Sequence, residues 1–414
     1  MGFAKSVFMF LKEASVAHAQ WDYEVSMSIL HNRKKLLILF IALLPILCVI
    51  GVEAADILGG KKAYAPAFYS TNVFIISIVI GLCAGLLTGC IGAGGGFIIT
   101  PALMAAGVKG ILAVGTDLFH IFAKAIMGTT VHKKLGNVSG SLAIAFLCGS
   151  IGGAVIGGSI NKALYNHDPN LSDAFISIIY SVLLGFLGFY SLADFLRSRK
   201  GADAGDAHGS SSGTTVLALK LQALKVPPMI RFDEDFVPGG RTISGVIVAA
   251  GGVIVGMLAA LMGVGGGFIT FPMFVYIFGI SSMTTVGTDI LQIIFTAGFA
   301  AITQYAIYGF VFYTLAMGML LGSLIGIQVG ALTTKVVKGI HIRGFYAVSI
   351  LAGFINRAAS LPKKLTELEV ISLPKPLTSG IETVGNYVFW LIVGFFAAWV
   401  IAKFIGNLST LREE

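Results

Sequence analysis

Charge is scarce in this 414-residue chain: Asp, Glu, Lys and Arg together make up 12% of it. A soluble globular domain carries about 25%. The shortage excludes a soluble enzyme, a disordered chain and a nucleic-acid binder. Cysteine is almost missing as well. The four present, Cys48, Cys83, Cys90 and Cys148, lie inside apolar runs without C-x-x-C spacing. Neither a disulfide framework nor a zinc site is indicated, and no metal or cofactor is expected. A secretory leader is not legible, because the apolar run Val7–Leu11 is cut by Lys12 and Glu13. A nucleotide loop is missing too. No Lys-Ser or Lys-Thr follows either glycine cluster, and Phe97 and Phe268 stand where G-x-G-x-x-G requires its last glycine.

What the chain has instead is apolar length, with 56% of its residues hydrophobic. Stretches able to cross ~30 Å of hydrocarbon fall at 36–52, 72–91, 112–131, 138–160, 172–196, 242–262, 284–308, 311–334, 342–356 and 384–405. The fold class expected is all-α, a polytopic membrane protein of about ten spans, placed in the inner cell membrane. The formal charge of +8 then reflects the Lys/Arg excess of cytoplasmic loops, not a nucleic-acid partner. Residues 1–70 read as an interfacial helix, with Phe3, Val7, Phe8, Phe10 and Leu11 on its apolar side, and a first span behind the basic cluster Arg33-Lys34-Lys35. Segment 198–241 reads as a cytoplasmic linker. Residues 359–414 read as an extramembrane loop, with Pro362, Pro374 and Pro376 in it, and a last span.

Between these lie two copies of one unit, 71–197 and 242–358. Gly92-Ala-Gly94-Gly95-Gly96-Phe97-Ile98 matches Gly263-Val-Gly265-Gly266-Gly267-Phe268-Ile269 at an offset of 171. Val114-Gly115-Thr116-Asp117 matches Val286-Gly287-Thr288-Asp289 at 172, and Gly149-Ser150, Gly153 and Gly157 match Gly322-Ser323, Gly326 and Gly330 at 173. Loop charge predicts that the copies are inverted. His132-Lys133-Lys134 follows the third hydrophobic piece of the first copy, whereas in the second copy the basic loop, with Lys335, Lys338 and Arg343, comes one connection later.

Contiguous glycines cost ~1 kcal/mol each in a helix interior, so each cluster should break its helix. Unwound backbone at membrane depth is tolerated only where protein or a cavity satisfies it. The short helix beyond each break, starting near Phe97 or Phe268, would present free amides and a positive dipole end, and two such ends would welcome an anion. The spaced glycines 149/153/157 and 322/326/330 read as close-packing seams. Ionisable residues inside spans are costly and mark function. Asp117, His120 and Lys124 share one helix face, and Asp289, Gln292 and Thr296 are their equivalents. Candidate substrate contacts are Gly94, Gly95, Gly96, Thr116 and Lys124 in the first copy and Gly265, Gly266, Gly267, Thr288 and Gln292 in the second. Asp117, His120 and Asp289 are the candidate proton carriers; alternatively, the aspartates cap their own helices. Arg357 reads as a boundary anchor or a site residue.

The duplicated Gly-x-Gly-Gly-Gly-Phe-x-x-x-Pro stretch, followed about twenty residues on by Val-Gly-Thr, resembles the TauE/SafE family of sulfite and organosulfonate exporters over 72–197 and 242–405. The resemblance implies a bacterial or archaeal-type carrier of small sulfur-containing oxyanions, with proton coupling. Family members commonly place a small residue after Gly-Thr; this chain has Asp at both positions. The expected function is a secondary exporter working by alternating access, not an enzyme, with the oxyanion and the bilayer as its partners. Two alternatives stand beside it: an anion channel or non-transporting sensor, and an intramembrane aspartyl protease built on Asp117 and Asp289.

Overall fold

The computed structural model describes residues 71–91, 95–134, 139–200, 216–233, 240–334, 336–337 and 339–407. The interfacial helix and first span expected within 1–70 lie outside these residues. The first repeat supplies α1 (Thr71–Ile91), α2 (Gly96–Ala105), α3 (Gly110–Lys134), α4 (Gly140–His167) and α5 (Pro169–Lys200). The linker forms α6 (Val216–Ala223) and an antiparallel hairpin of β1 (Met229–Phe232) and β2 (Arg241–Ser244), with Ile230 opposite Ile243. The second repeat supplies α7 (Gly245–Met262) and α8 (Gly267–Pro272), which continues as a π-helix over Met273–Phe278. Then come α9 (Ser282–Phe299), prolonged by π and 3₁₀ turns to Tyr308, α10 (Tyr313–Thr334) and α11 (Gly339–Glu367); α12 (Lys375–Gly406) follows.

Among the described residues, eight helices are long and apolar enough to cross a membrane. The expected count of about ten is not reached. Span 36–52 lies outside the description. Span 112–131 falls in α3, a 25-residue helix that is not among these eight. Val182, Phe186, Leu391 and Phe395 are 66–70% exposed, an outer face suited to lipid and not to water. The loop expected after the second repeat contracts to 368–374, because α11 runs on through Pro362 and α12 opens at Lys375. The missing amide of a proline costs one helical bond, which a long, packed helix absorbs.

Glycine decides how the long helices meet. A Cβ on Gly81, Gly85 or Gly89 of α1 would lie 2.2–2.5 Å from the carbonyl oxygens of Met319, Ser323 and Ile327 on α10. On Gly149, Gly153 or Gly157 of α4 it would lie 1.8–2.3 Å from those of Ala249, Val253 and Met257 on α7. Both registers advance in step, so both pairs are parallel. The exchange is reciprocal: the first long helix of each repeat packs on the fourth helix of the other. The fifth helices run antiparallel, with Gly185 against Phe354, Gly188 against Leu351 and Gly344 against Phe195. These contacts are the small-residue seams expected of membrane helices, where close backbone approach replaces the hydrophobic effect.

The linker is clasped to the second repeat. Gln222 Nε2 donates to the Phe278 carbonyl (2.7 Å) and Arg241 Nη1 to that of Gly279 (2.8 Å), so two carbonyls at the end of the short helix are satisfied. Asp233 accepts from the Ser281 amide (2.9 Å), Ser281 Oγ (2.7 Å) and Thr284 Oγ1 (2.6 Å) at the start of α9. A carboxylate with three donors at a helix N-terminus is worth more than an ordinary cap. Asp233→Ala should cost about 3 kcal/mol, read as a lower midpoint of thermal unfolding in detergent, with Asp233→Asn intermediate. An unchanged midpoint would show that the clasp is not a stabilising contact.

Candidate functional site

Both glycine clusters interrupt their helices. The first described residue after the first break is Gly95, at φ 71°, and its counterpart Gly266 stands at φ 94°; each caps the short helix that follows. Left-handed backbone is where glycine escapes the Cβ penalty. Gly94 lies outside the described residues. The two short helices start against each other. A Cβ on Gly96 would come 2.8 Å from Val264 Cα, and the rings of Phe97 and Phe268 lie 5.9 Å apart. The amides of Gly96, Phe97, Gly267 and Phe268 open these helices, where no intrahelical acceptor exists.

The carbonyls released by the second break are met by buried tyrosines. Tyr180 on α5 donates its hydroxyl to the Met262 carbonyl at 2.5 Å. Tyr305, which follows α9, donates to that of Ala260 and accepts from Asn161 Nδ2 at 3.1 Å. Interrupted backbone inside a membrane protein requires such partners. Sequence reasoning missed both tyrosines, because nothing in their local pattern marks them.

A polar string runs from each repeat's third helix to the other repeat's fourth. In the second repeat, Gln292 Nε2 donates to Asp289 Oδ1 (2.8 Å), Thr296 Oγ1 donates to Gln292 Oε1 (2.9 Å), and Thr296 meets Ser150 Oγ on α4 (2.7 Å). Thr270 Oγ1 on the short helix α8 donates to the Gly266 carbonyl at 3.0 Å. In the first repeat, Thr100 on the short helix α2 donates to Asp117 Oδ2 (2.9 Å), and His120 Nε2 meets Ser323 Oγ on α10 (2.9 Å). Lys124 Nζ reaches Thr88 Oγ1 on α1 at 3.4 Å. That hydroxyl is also where a Cβ on Gly95 would fall, at 2.4 Å, so Lys124 stands at the first break.

The two strings differ in one respect. Asp117 Oδ1 and His120 Nδ1 face each other at 3.7 Å, both fully buried, and neither has a hydrogen-bond partner among the described residues. Ser323 Oγ also lies 3.2 Å from the Leu320 carbonyl; when it donates there it accepts from His120 Nε2–H, and in that tautomer the imidazole turns a lone pair toward the carboxylate. In the second repeat the same place is filled by the Gln292–Asp289 bond.

Neither aspartate caps its helix. Asp117 is the eighth residue of α3 and Asp289 the eighth of α9, whose N-cap is Ser281. The two do not form one dyad in the arrangement described: each is bonded to donors of its own repeat. The duplicated threonines also have a definite place. Thr116 Oγ1 accepts from the Phe312 amide (2.9 Å) and Thr288 Oγ1 from the Ser139 amide (3.0 Å). Each thus satisfies an opening amide of the fourth helix of the other repeat, a cross-repeat cap that a reading of single helices cannot see. Arg357, read from sequence as an anchor or a site residue, is no boundary anchor: it is 2% exposed.

The family model for the sulfite exporter TauE/SafE matches residues 77–356. The chain is 27% identical over 272 residues, 62% of its length and 87% of the relative's, to the probable membrane transporter protein YunE of Bacillus subtilis. It is 25% identical to the probable membrane transporter protein YjnA of the same organism, over 61% of this chain and 87% of the relative. A probable membrane transporter protein of Xylella fastidiosa shares 23% identity over 62% of this chain and 84% of its own. No solved structure matches the chain.

Proposed function

This chain belongs to the sulfite exporter TauE/SafE family of membrane transporters, and from that premise we propose that it is a secondary carrier exporting small sulfur oxyanions such as sulfite or organosulfonates. The observation that carries the reading is the meeting of two broken helices at their N-termini, with Phe97 and Phe268 in contact. Such a junction offers helix-opening amides and two converging positive dipole ends to an anion. Lys124 beside the first break adds a positive charge, and Gly95, Gly96, Gly265, Gly266 and Gly267 let the backbone approach the substrate.

Alternating access is supported by the reciprocal packing. The fifth helices run antiparallel, and each first long helix rides with the other repeat's fourth. Inverted repeats would give this pattern, and such repeats can exchange conformations by rocking. Proton coupling is supported by the open Asp117–His120 contact.

The test is flux in proteoliposomes carrying the purified full chain and loaded with sulfite, methanesulfonate, sulfate or thiosulfate. Saturable movement of at least one anion without ATP, changed by an imposed pH gradient, is the expected result. Failure to move any of the four would overturn the reading, and flux that does not saturate would make the protein a channel.

A further inference from the structure

Arg357 lies at mid-length in α11 and is 2% exposed. Its Nε and Nη2 both donate to Oδ1 of the neighbouring Asn356. Asn356 is itself held by α12, where its Nδ2 donates to Asn386 Oδ1 at 2.7 Å. A neutral amide orients a guanidinium but does not neutralise it. No described carboxylate stands within ion-pair distance of Arg357. The acids whose field reaches it are Asp173 and Glu382, and both are already engaged. Lys364 Nζ lies 3.1 Å from Asp173 and Lys363 Nζ 2.8 Å from Glu382. Lys363 also feels Glu367, and the one cation of the three with no ion-pair partner among the described residues, Arg357, is the most deeply buried.

Its position is close to both breaks. One turn earlier on α11, a Cβ on Gly353 would lie 3.4 Å from the Phe97 carbonyl, at the start of α2. The remaining group acting on Arg357 is the Tyr180 hydroxyl, which holds Met262, the last residue of α7, before the second break. The architecture of the repeats does not call for this charge, since at the 173-residue offset its counterpart in the first repeat is Leu184. Burying an uncompensated guanidinium in a membrane protein is costly, and a visiting anion would remove that cost.

We propose that Arg357 is the fixed counter-charge of the transported anion. Asn356 occupies the Nε–Nη2 edge, so the Nη1–Nη2 edge is left for two oxygens on one central atom, as in sulfite, sulfonate or sulfate. The inference rests on the oxyanion-carrier reading above and adds to it the residue that recognises the charge.

The experiment measures thermal unfolding of the full chain in detergent with sodium sulfite, sodium methanesulfonate or sodium chloride. The proteins are the wild type, Arg357→Met, Arg357→Lys and, as a control at an exposed cation outside the charge cluster, Lys403→Met. The wild type should be stabilised by at least one oxyanion and not by chloride. Arg357→Met should lose that shift, with apparent affinity weakened on the order of 100-fold. Arg357→Lys should bind more weakly than wild type through loss of the fork, and Lys403→Met should respond as wild type. A purely structural Arg357 would leave the oxyanion shift at its normal size in every variant that folds, and that result overturns the proposal. Should Arg357→Met fail to fold, an unweakened response in Arg357→Lys overturns it equally. A wild type that neither responds to any oxyanion nor moves one in proteoliposomes would sink the carrier reading instead, a distinct outcome.

Discussion

Gly149→Val is expected to yield no recoverable folded protein, whereas Gly152→Ala, three residues along the same helix, should fold normally. A Cβ at Gly149 would stand 1.8 Å from the Ala249 carbonyl oxygen and 2.6 Å from its carbon, both backbone atoms. Side chains can rotate away from an intruder, but a helix backbone can yield only by moving bodily. Moving α7 away from α4 would also undo the close contacts at Gly153, Gly157, Gly252 and Gly256. Overpacking of an adaptable core already costs about 1–3 kcal/mol; a rigid seam should exceed about 3 kcal/mol, a large share of an ordinary stability. At Gly152 a Cβ meets nothing within 4 Å, so alanine adds helix propensity at no steric cost. The reciprocal seam predicts the same result for Gly322→Val, whose Cβ would lie 2.0 Å from the Ile78 carbonyl oxygen. Monodisperse yield after detergent extraction measures all three. Normal recovery of Gly149→Val would mean that α4 and α7 do not lie this close.

The seam glycines were legible in the sequence because they recur every four residues, the repeat of a helix face. The breaks were legible because four glycines in five positions cannot stay helical at membrane depth. Other features depend on where the chain returns in space. Thr116 and Thr288 look like substrate ligands from their motif, yet their oxygens accept amides of residues 196 and 149 positions away. Arg357, near the end of an apolar run, resembles an anchor until α5 and α12 are seen to enclose it. The linker read as a polar interruption, although Asp233, Gln222 and Arg241 fasten part of it to the turn between α8 and α9. In each case the local pattern was ambiguous and a long-range partner settled the side chain's place. The shortened loop after α11 has a different cause: a stretch with three prolines and mixed charges read as an extramembrane loop, but α11 continues through Pro362 and α12 opens at Lys375.

Asp117→Asn should abolish the response of transport to a pH gradient, lowering gradient-driven flux on the order of 100-fold while leaving the protein folded. In the tautomer that carries its hydrogen on His120 Nε2, which Ser323 then accepts, the imidazole lone pair and Asp117 Oδ1 face each other as two acceptors at 3.7 Å. One added proton turns that opposition into a hydrogen bond, and its loss restores it. Gain or loss of that proton would therefore remake the Asp117–His120 contact within α3, on the same imidazole whose other nitrogen meets Ser323 of α10 in the other repeat. The other groups around the pair are Thr100 from α2, which donates to Asp117 Oδ2, Lys124 on α3 itself, and Tyr180 from α5, whose hydroxyl is committed to Met262. Arg357 acts on that tyrosine in turn. The side-chain amide introduced by Asp117→Asn would offer His120 a hydrogen permanently, which fixes the contact in its bonded form. His120→Gln should do the same by another route, since the second repeat already carries Gln292 bonded to Asp289 at the equivalent place. Both variants keep the buried polar inventory satisfied, so unfolding midpoints near wild type are expected. Exchange flux without a gradient should survive in both. Gradient-driven flux at the wild-type level in Asp117→Asn would show that the proton, if one is carried, travels elsewhere.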